Sequence, residues 1–113
     1  MYMIMLVLDD PAKLDKILEA WAQIGVTGAT IIESTGMHRR TRKHIPMRYS
    51  FEDTSLQEKG NCTLFVIVLS EELVNQSLAA VESIVGNLDD PNTGVFSAWP
   101  LLVVKGVPVR KDA

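Results

Sequence analysis

Basic side chains concentrate in one short window of this 113-residue chain. Residues 36–48 contain five of the eleven Lys and Arg residues and no acid, and these are Arg39, Arg40, Arg42, Lys43 and Arg48. The rest of the chain has six basic residues against fourteen acidic ones, so the net charge of −3 conceals a positive segment on an acidic body. Arginine binds carboxylate or phosphate through two parallel hydrogen bonds, so the window is a candidate anion site. A solvated loop is the alternative interpretation.

Three side chains of metal-binding type lie at or near this window. They are His38, His44 and Cys62. Their spacing matches no zinc or other metal motif, and loop histidines are commonly solvated. We therefore predict no metal site.

Two pairs of adjacent carboxylates could serve in acid–base catalysis, Asp9 with Asp10 and Asp89 with Asp90. Asp10 is placed to cap a helix, and the second pair precedes a proline in a sequence typical of a turn. No serine, cysteine or histidine lies in a recognisable nucleophile motif. We therefore expect a protein that is not an enzyme, and an enzyme or a metal-binding protein on the same scaffold remains the alternative.

Composition restricts the partners and the compartment. The isoelectric point is near 5.3, and Tyr49 and Phe51 lie outside the basic run, whereas nucleic-acid domains carry broad basic surfaces with stacking aromatics. The single cysteine excludes an internal disulfide, and the apolar run 1–8 is too short to cross a bilayer. No signal peptide is visible. These features predict a cytoplasmic protein without nucleic-acid binding or membrane insertion.

Helix and strand signals recur in the same order in the two halves of the chain. Residues 2–8 have strand character; Asp10 and Pro11 then suit a helix start and Gly25 its end, before a β-branched strand over 27–35. The loop 36–60 separates this half from the second.

The second half repeats the pattern. Residues 62–69 form the clearest strand, Ser70 caps a helix that ends at Gly86, a turn-rich loop follows, and residues 95–104 are extended. Pro100 indicates an edge strand or a bulge. The whole predicts one domain, residues 1–113, of the α+β class: a ferredoxin-like βαββαβ unit with an antiparallel sheet and two helices on one face.

The central strands carry apolar residues on both faces. A sheet covered by helices on one side should alternate apolar and polar residues, yet residues 3–8 and 64–69 are apolar throughout. Two helices cannot cover both faces. The second face should therefore meet identical subunits, which predicts a homo-oligomer.

Several segments resemble the PII-type signal transduction proteins, the nitrogen regulatory family. Residues 11–15, Pro-Ala-Lys-Leu-Asp, resemble the start of the family's first helix. Residues 24–30, Ile-Gly-Val-Thr-Gly-Ala-Thr, continue through Glu33 to Gly36 and resemble its helix end, second strand and the beginning of its T-loop. The loop 36–60 has the place and about the length of that T-loop.

The resemblance implies a trimer whose sheets line the centre and whose clefts between subunits bind adenine nucleotides. Many members of the family also bind 2-oxoglutarate beside magnesium, and they dock on enzymes, transporters or regulators through the T-loop.

The T-loop motif is only partly present. Where the family has Gly-Phe-Gly-Arg-Gln, residues 36–40 read Gly-Met-His-Arg-Arg, so Gly36 and Arg39 match while His38 and Arg40 replace the second glycine and the glutamine. This chain therefore lacks the glutamine that, in the family, helps to hold magnesium and 2-oxoglutarate.

The phosphate-binding B-loop is also altered. Gly86 matches and Gly94 aligns with a later glycine, but both lysines are missing, and Asp89 and Asp90 would repel phosphate. The paired C-terminal arginines are absent as well, and Lys105 is one of the few cations nearby.

These features together predict a divergent PII-like homotrimer that senses a small anionic effector, with an adenine nucleotide as one candidate cofactor. The predicted ligand-binding residues are Gly36, Arg39, Arg40, Gly86, Gly94 and Lys105. The predicted partner-binding residues, which would meet a transporter or an enzyme, are Arg42, Lys43, Arg48 and Tyr49.

Overall fold

A computed structural model describes residues 1–34 and 60–107 of the chain. The strands are β1 (Tyr2–Leu8), β2 (Thr30–Ser34), β3 (Asn61–Val68) and β4 (Gly94–Pro100), and the helices are α1 (Leu14–Gln23) and α2 (Glu71–Val85). A short 3₁₀ turn, Pro11–Lys13, precedes α1.

The four strands form one antiparallel sheet in the order β2-β3-β1-β4. This strand order and the chain order β-α-β-β-α-β confirm the predicted ferredoxin-like α+β fold. The two central strands, β1 and β3, are therefore neighbours, while β2 and β4 form the edges.

The start of the first helical segment follows from its capping residue. The Asp10 side chain accepts a hydrogen bond from the Ala12 amide at 3.0 Å, and Pro11 begins the 3₁₀ turn that leads into α1. Gly25, with φ of +86°, follows the helix end, and Gly28 also has a positive φ. The second strand therefore begins at Thr30, later than the sequence predicted, because the backbone is not extended at Gly28.

The core lies between the helices and one face of the sheet. Alternate residues of β1 and β3 are buried, and they pack with Ile17 and Trp21 of α1 and Val81 of α2. The Trp21 indole N–H donates to the Ser77 carbonyl at 3.2 Å and so joins the two helices. Trp21 is thus a core residue, as its place in the helical pattern predicted.

The second helix has the start and the end that its sequence predicted. The Ser70 hydroxyl accepts a hydrogen bond from the Leu73 amide at 3.2 Å, and Glu71 and Glu72 occupy the first turn, where carboxylates favour the helix dipole. At the other end, the Gly86 amide donates to the Glu82 carbonyl at 3.0 Å.

The last strand is shorter than its sequence suggested. β4 ends at Pro100, which has no amide hydrogen for the sheet, and the chain then leaves its edge position. The Leu101 amide donates to the Met1 carbonyl at 2.9 Å, which extends the pairing of this edge with β1 by one residue. By Gly106 and Val107 the chain has reached the loop after α1 and the end of β3.

We predict that Ser70→Ala lowers the free energy of unfolding by about 1 kcal/mol, because the Leu73 amide loses its partner. This free energy is measured by chemical denaturation with circular dichroism as the signal. Ser83→Ala is the matched control, since the exposed Ser83 hydroxyl bonds only the Ala80 carbonyl within the same helix. A Ser70→Ala loss no larger than the control's would contradict the capping role.

Candidate functional site

Seven of the predicted site residues lie outside the described residues. They are Gly36, Arg39, Arg40, Arg42, Lys43, Arg48 and Tyr49. Their roles stay predictions. The described part of the predicted ligand site consists of Gly86, Gly94 and Lys105.

The loop between α2 and β4 uses its backbone amides internally. The Leu88 amide donates to Glu82 Oε2 at 3.0 Å, the Asp89 amide to Asn87 Oδ1 at 2.9 Å and the Asp90 amide to the Asn87 carbonyl at 3.0 Å. Phosphate-binding loops instead point several free amides at the anion. Three successive amides of this loop are therefore already engaged, and its Asp89 and Asp90 carboxylates are exposed.

The same loop is closed by Thr93. Its hydroxyl donates to the Asp90 carbonyl at 2.8 Å and lies 3.2 Å from the Leu88 carbonyl. The loop 86–93, which we call the acidic turn, is thus a turn-rich loop, as its Asp, Pro, Asn and Gly content predicted.

Gly94 begins β4 in direct contact with β1. A Cβ atom at this position would collide with the Val7 carbonyl oxygen, and φ is +151°. Gly86 also has a positive φ, of +90°, but a Cβ there would meet no atom within 4 Å. Gly94 therefore permits a close approach of two strands, which gives it a structural role whether or not a ligand binds.

The sheet register places the end of β2 and the turn before β4 on different edges of the sheet. In the sheet register, Gly94 lies opposite Leu8, Leu8 opposite Cys62, and Cys62 opposite Glu33 near the end of β2. The acidic turn and the start of the loop after β2 thus lie at one end of the sheet, on opposite edges. Three strand spacings, about 14 Å, separate those edges.

Lys105 lies toward the other end of the sheet. It follows Pro100, which pairs with Tyr2 at the end remote from Gly94. A strand of this length spans about 20 Å. A small effector bound at Gly94 would therefore lie far from Lys105 of the same chain.

The described body is strongly acidic. Residues 1–34 and 60–107 contain ten Asp and Glu residues against three lysines, which are Lys13, Lys16 and Lys105, and no arginine. An anion therefore finds little attraction on this body, and the basic residues of the 36–48 window would have to supply it.

A cleft of about 710 Å³ opens at the end of the sheet where β1 begins and β3 ends. We call it the end cleft. Its walls are residues 24–28 after α1, Thr30, Met3, residues 65–69 of β3 and its end, Leu73 and the segment Gly106 and Val107. The described residues of its lining include no charged side chain, and its volume is in the range of small-molecule sites.

The second face of the sheet is apolar at its centre. Met3, Met5 and Val7 of β1 lie on the face opposite the core, and so do Phe65 and Ile67 of β3 and Val95 and Trp99 of β4, as their pairings require. We call these seven residues the open face. Val95 is 57% exposed and Trp99 41% exposed, and neither α1 nor α2 packs on this side.

Cys62 is a core residue. The side chain is 3% exposed, and burial, with a smaller contribution from the Glu33 carboxylate, raises the pKa of its thiol. A thiol with a raised pKa is a poor nucleophile and a poor metal ligand. Within the described ranges, no group of three His, Cys, Asp or Glu side chains could hold a metal ion.

Comparisons with known proteins do not assign the chain to a family. No protein-family model matches it, and a search of curated proteins found no match. Among the described residues, no helix has the length and apolarity needed to span a membrane.

The end cleft was not predicted from the sequence. Its walls come from four separate segments, and only the fold brings Val107 to the loop after α1. The available signal was the pair Gly25 and Gly28 flanking the buried Val26, which indicated a tight connection but no cavity.

We predict that Gly94→Ala destabilises the fold more than Gly86→Ala. Both substitutions place a side chain at positive φ, which costs roughly 1–2 kcal/mol, but only the methyl group added by Gly94→Ala would also press on the Val7 carbonyl. We expect Gly94→Ala to lower the free energy of unfolding by roughly 1–3 kcal/mol more than the control, Gly86→Ala, does. Denaturant titration measures both losses. Equal losses would show that the strands can separate without cost.

Proposed function

We propose that this chain is a divergent PII-like regulatory protein that assembles into a homotrimer, binds a small anionic effector between subunits and engages a partner protein through the loop 36–60. The observation that carries the proposal is the open face, which leaves the centre of a ferredoxin-like sheet apolar on the side without helices.

Assembly of several copies would bury the apolar open face, and this favours the proposed oligomer. Met5 and Phe65 pair across the two central strands, so the apolar patch lies at the middle of the sheet. Contiguous apolar surface of this kind is typical of protein–protein interfaces. A second copy offers the same apolar surface, and closed rings of identical subunits are a common outcome.

Segments that carry the predicted site residues lie at different edges and ends of the sheet, which favours a ligand site between subunits. The end of β2 and the acidic turn lie at one end of the sheet but on opposite edges, and Lys105 lies toward the other end. Neighbouring copies that bring their edges together would place one chain's loop base beside another chain's turn. The affinity for a ligand bound there would depend both on assembly and on the position of the loop.

The chemistry of the site favours a small anion over magnesium–ATP. The acidic turn engages three of its amides internally and exposes Asp89 and Asp90, so it is poorly suited to a triphosphate. Arg39 and Arg40 at the base of the loop are the bidentate groups available to such an anion. Arg42, Lys43, Arg48 and Tyr49 would then remain for the partner protein.

We predict that Val95→Asp weakens self-association, because it places a charge on the open face. Light scattering across a concentration series should show a trimer for the parent chain and a shift towards monomer for the variant. Ala98→Asp is the matched control, an exposed position on the same strand but on its other face. A parent chain that is monomeric at micromolar concentration would reject the proposed assembly.

We predict that Arg39→Ala and Arg40→Ala each weaken anion binding by roughly tenfold to a hundredfold, the cost of losing one charged hydrogen-bonding partner. Isothermal titration with ADP, ATP, magnesium–ATP, 2-oxoglutarate and orthophosphate measures it. Lys16→Ala, on the exposed side of α1, is the control.

Equal affinities in all four proteins would remove both arginines from the site. Tight magnesium–ATP binding by the parent chain, strengthened by 2-oxoglutarate, would contradict the preference for a smaller anion.

A further inference from the structure

The segment after β4 carries two strongly exposed apolar side chains. Leu102 is 100% exposed and Val103 is 80% exposed, the two highest values among the exposed large hydrophobic residues of the described chain. Full exposure of a leucine forgoes the stabilisation that its burial would give. We call residues 101–107 the strap and Leu102 with Val103 the apolar pair.

The strap begins beside β1 and reaches the end cleft. The Leu101 amide donates to the Met1 carbonyl at 2.9 Å, and Gly106 and Val107 form part of the wall of the end cleft. The apolar pair lies between these two points and faces water.

The end cleft complements the apolar pair. The described side chains of its lining are apolar or threonine, and about 710 Å³ is ample for two aliphatic side chains. The same chain therefore presents an apolar projection and a recess whose described walls are uncharged.

We propose that the end cleft of each chain receives Leu102 and Val103 from the strap of a second copy. This inference rests on the proposed assembly and names a contact within it. The strap of one copy would meet the cleft of the next, which is a head-to-tail contact, and such contacts close into rings when the rotation permits.

The position of the cleft favours the same partner. Met3, Phe65 and Ile67 belong both to the open face and to the wall of the end cleft. A copy that covers the open face therefore also lies against the cleft.

Directed cross-linking tests the contact. Leu102→Cys in one tagged chain and Thr27→Cys in a differently tagged chain are co-expressed in a Cys62→Ala background, purified through both tags and oxidised. Thr27 is exposed on the cleft wall, so we expect a covalent heterodimer on a non-reducing gel. Ala79→Cys with Thr27→Cys is the matched control, because Ala79 is exposed on α2 and outside the cleft lining.

A second measurement tests the energetic role of the pair. Leu102→Asp should raise the dissociation constant of assembly at least tenfold, whereas Ala79→Asp should leave it within about twofold. Leu102 is fully exposed within one chain, so the variant should keep the parent's circular dichroism spectrum and, at concentrations where both proteins are dissociated, the parent's unfolding midpoint.

The outcomes separate this contact from the assembly itself. A stable oligomer that gives no more cross-link than the Ala79→Cys control, or that assembles equally well with Leu102→Asp, would overturn the strap contact and leave the proposed assembly standing. A parent chain that is monomeric at all concentrations would overturn both.

Discussion

The two central strands, β1 and β3, are apolar on both faces, but the helices bury only one of these faces. The rest of the structure depends on this constraint. Ile4, Leu6, Leu64 and Val66 form the floor of the core, and Trp21 and Val81 close it from the helices. Met5 and Phe65, one residue out of phase, carry equally apolar side chains to the other side. The helices cover only the core residues Ile4, Leu6, Leu64 and Val66, so the folded chain retains apolar surface at the centre of its other face.

That remaining surface links the fold to the proposed function. At the end of the sheet near Leu8, β4 begins at Gly94 after the acidic turn on one edge, and β2 ends at Ser34 on the other edge. Only an assembly of copies would place these edges together. A site divided between chains in this way would couple an effector to the position of the loop, which is what a regulatory protein requires.

The acidic turn shows why a resemblance must be tested residue by residue. Gly86 and Gly94 match glycines of the resembled B-loop by sequence alone, whereas Glu82 and Asn87 accept the hydrogen bonds of the amides that a phosphate would need. Gly94 is also required for the approach of β4 to Val7, a packing reason that is independent of any ligand. The two glycines are therefore compatible with a PII-like backbone but do not by themselves indicate nucleotide binding.

The sequence by itself determined the class of fold and most of its elements, because the signals are local. Asp10 and Ser70 cap the helical segments they were predicted to cap, Gly25 and Gly86 follow helix ends, and the apolar runs in β1 and β3 predicted two apolar faces. Pro100 indicated from the sequence that the last strand lies at an edge, whereas tertiary structure alone decided that β2 became the other edge and which segments enclose the end cleft. These depend on pairing between distant residues, such as Cys62 with Glu33, and on the path of the chain from Leu101 to Val107, for which no local pattern exists.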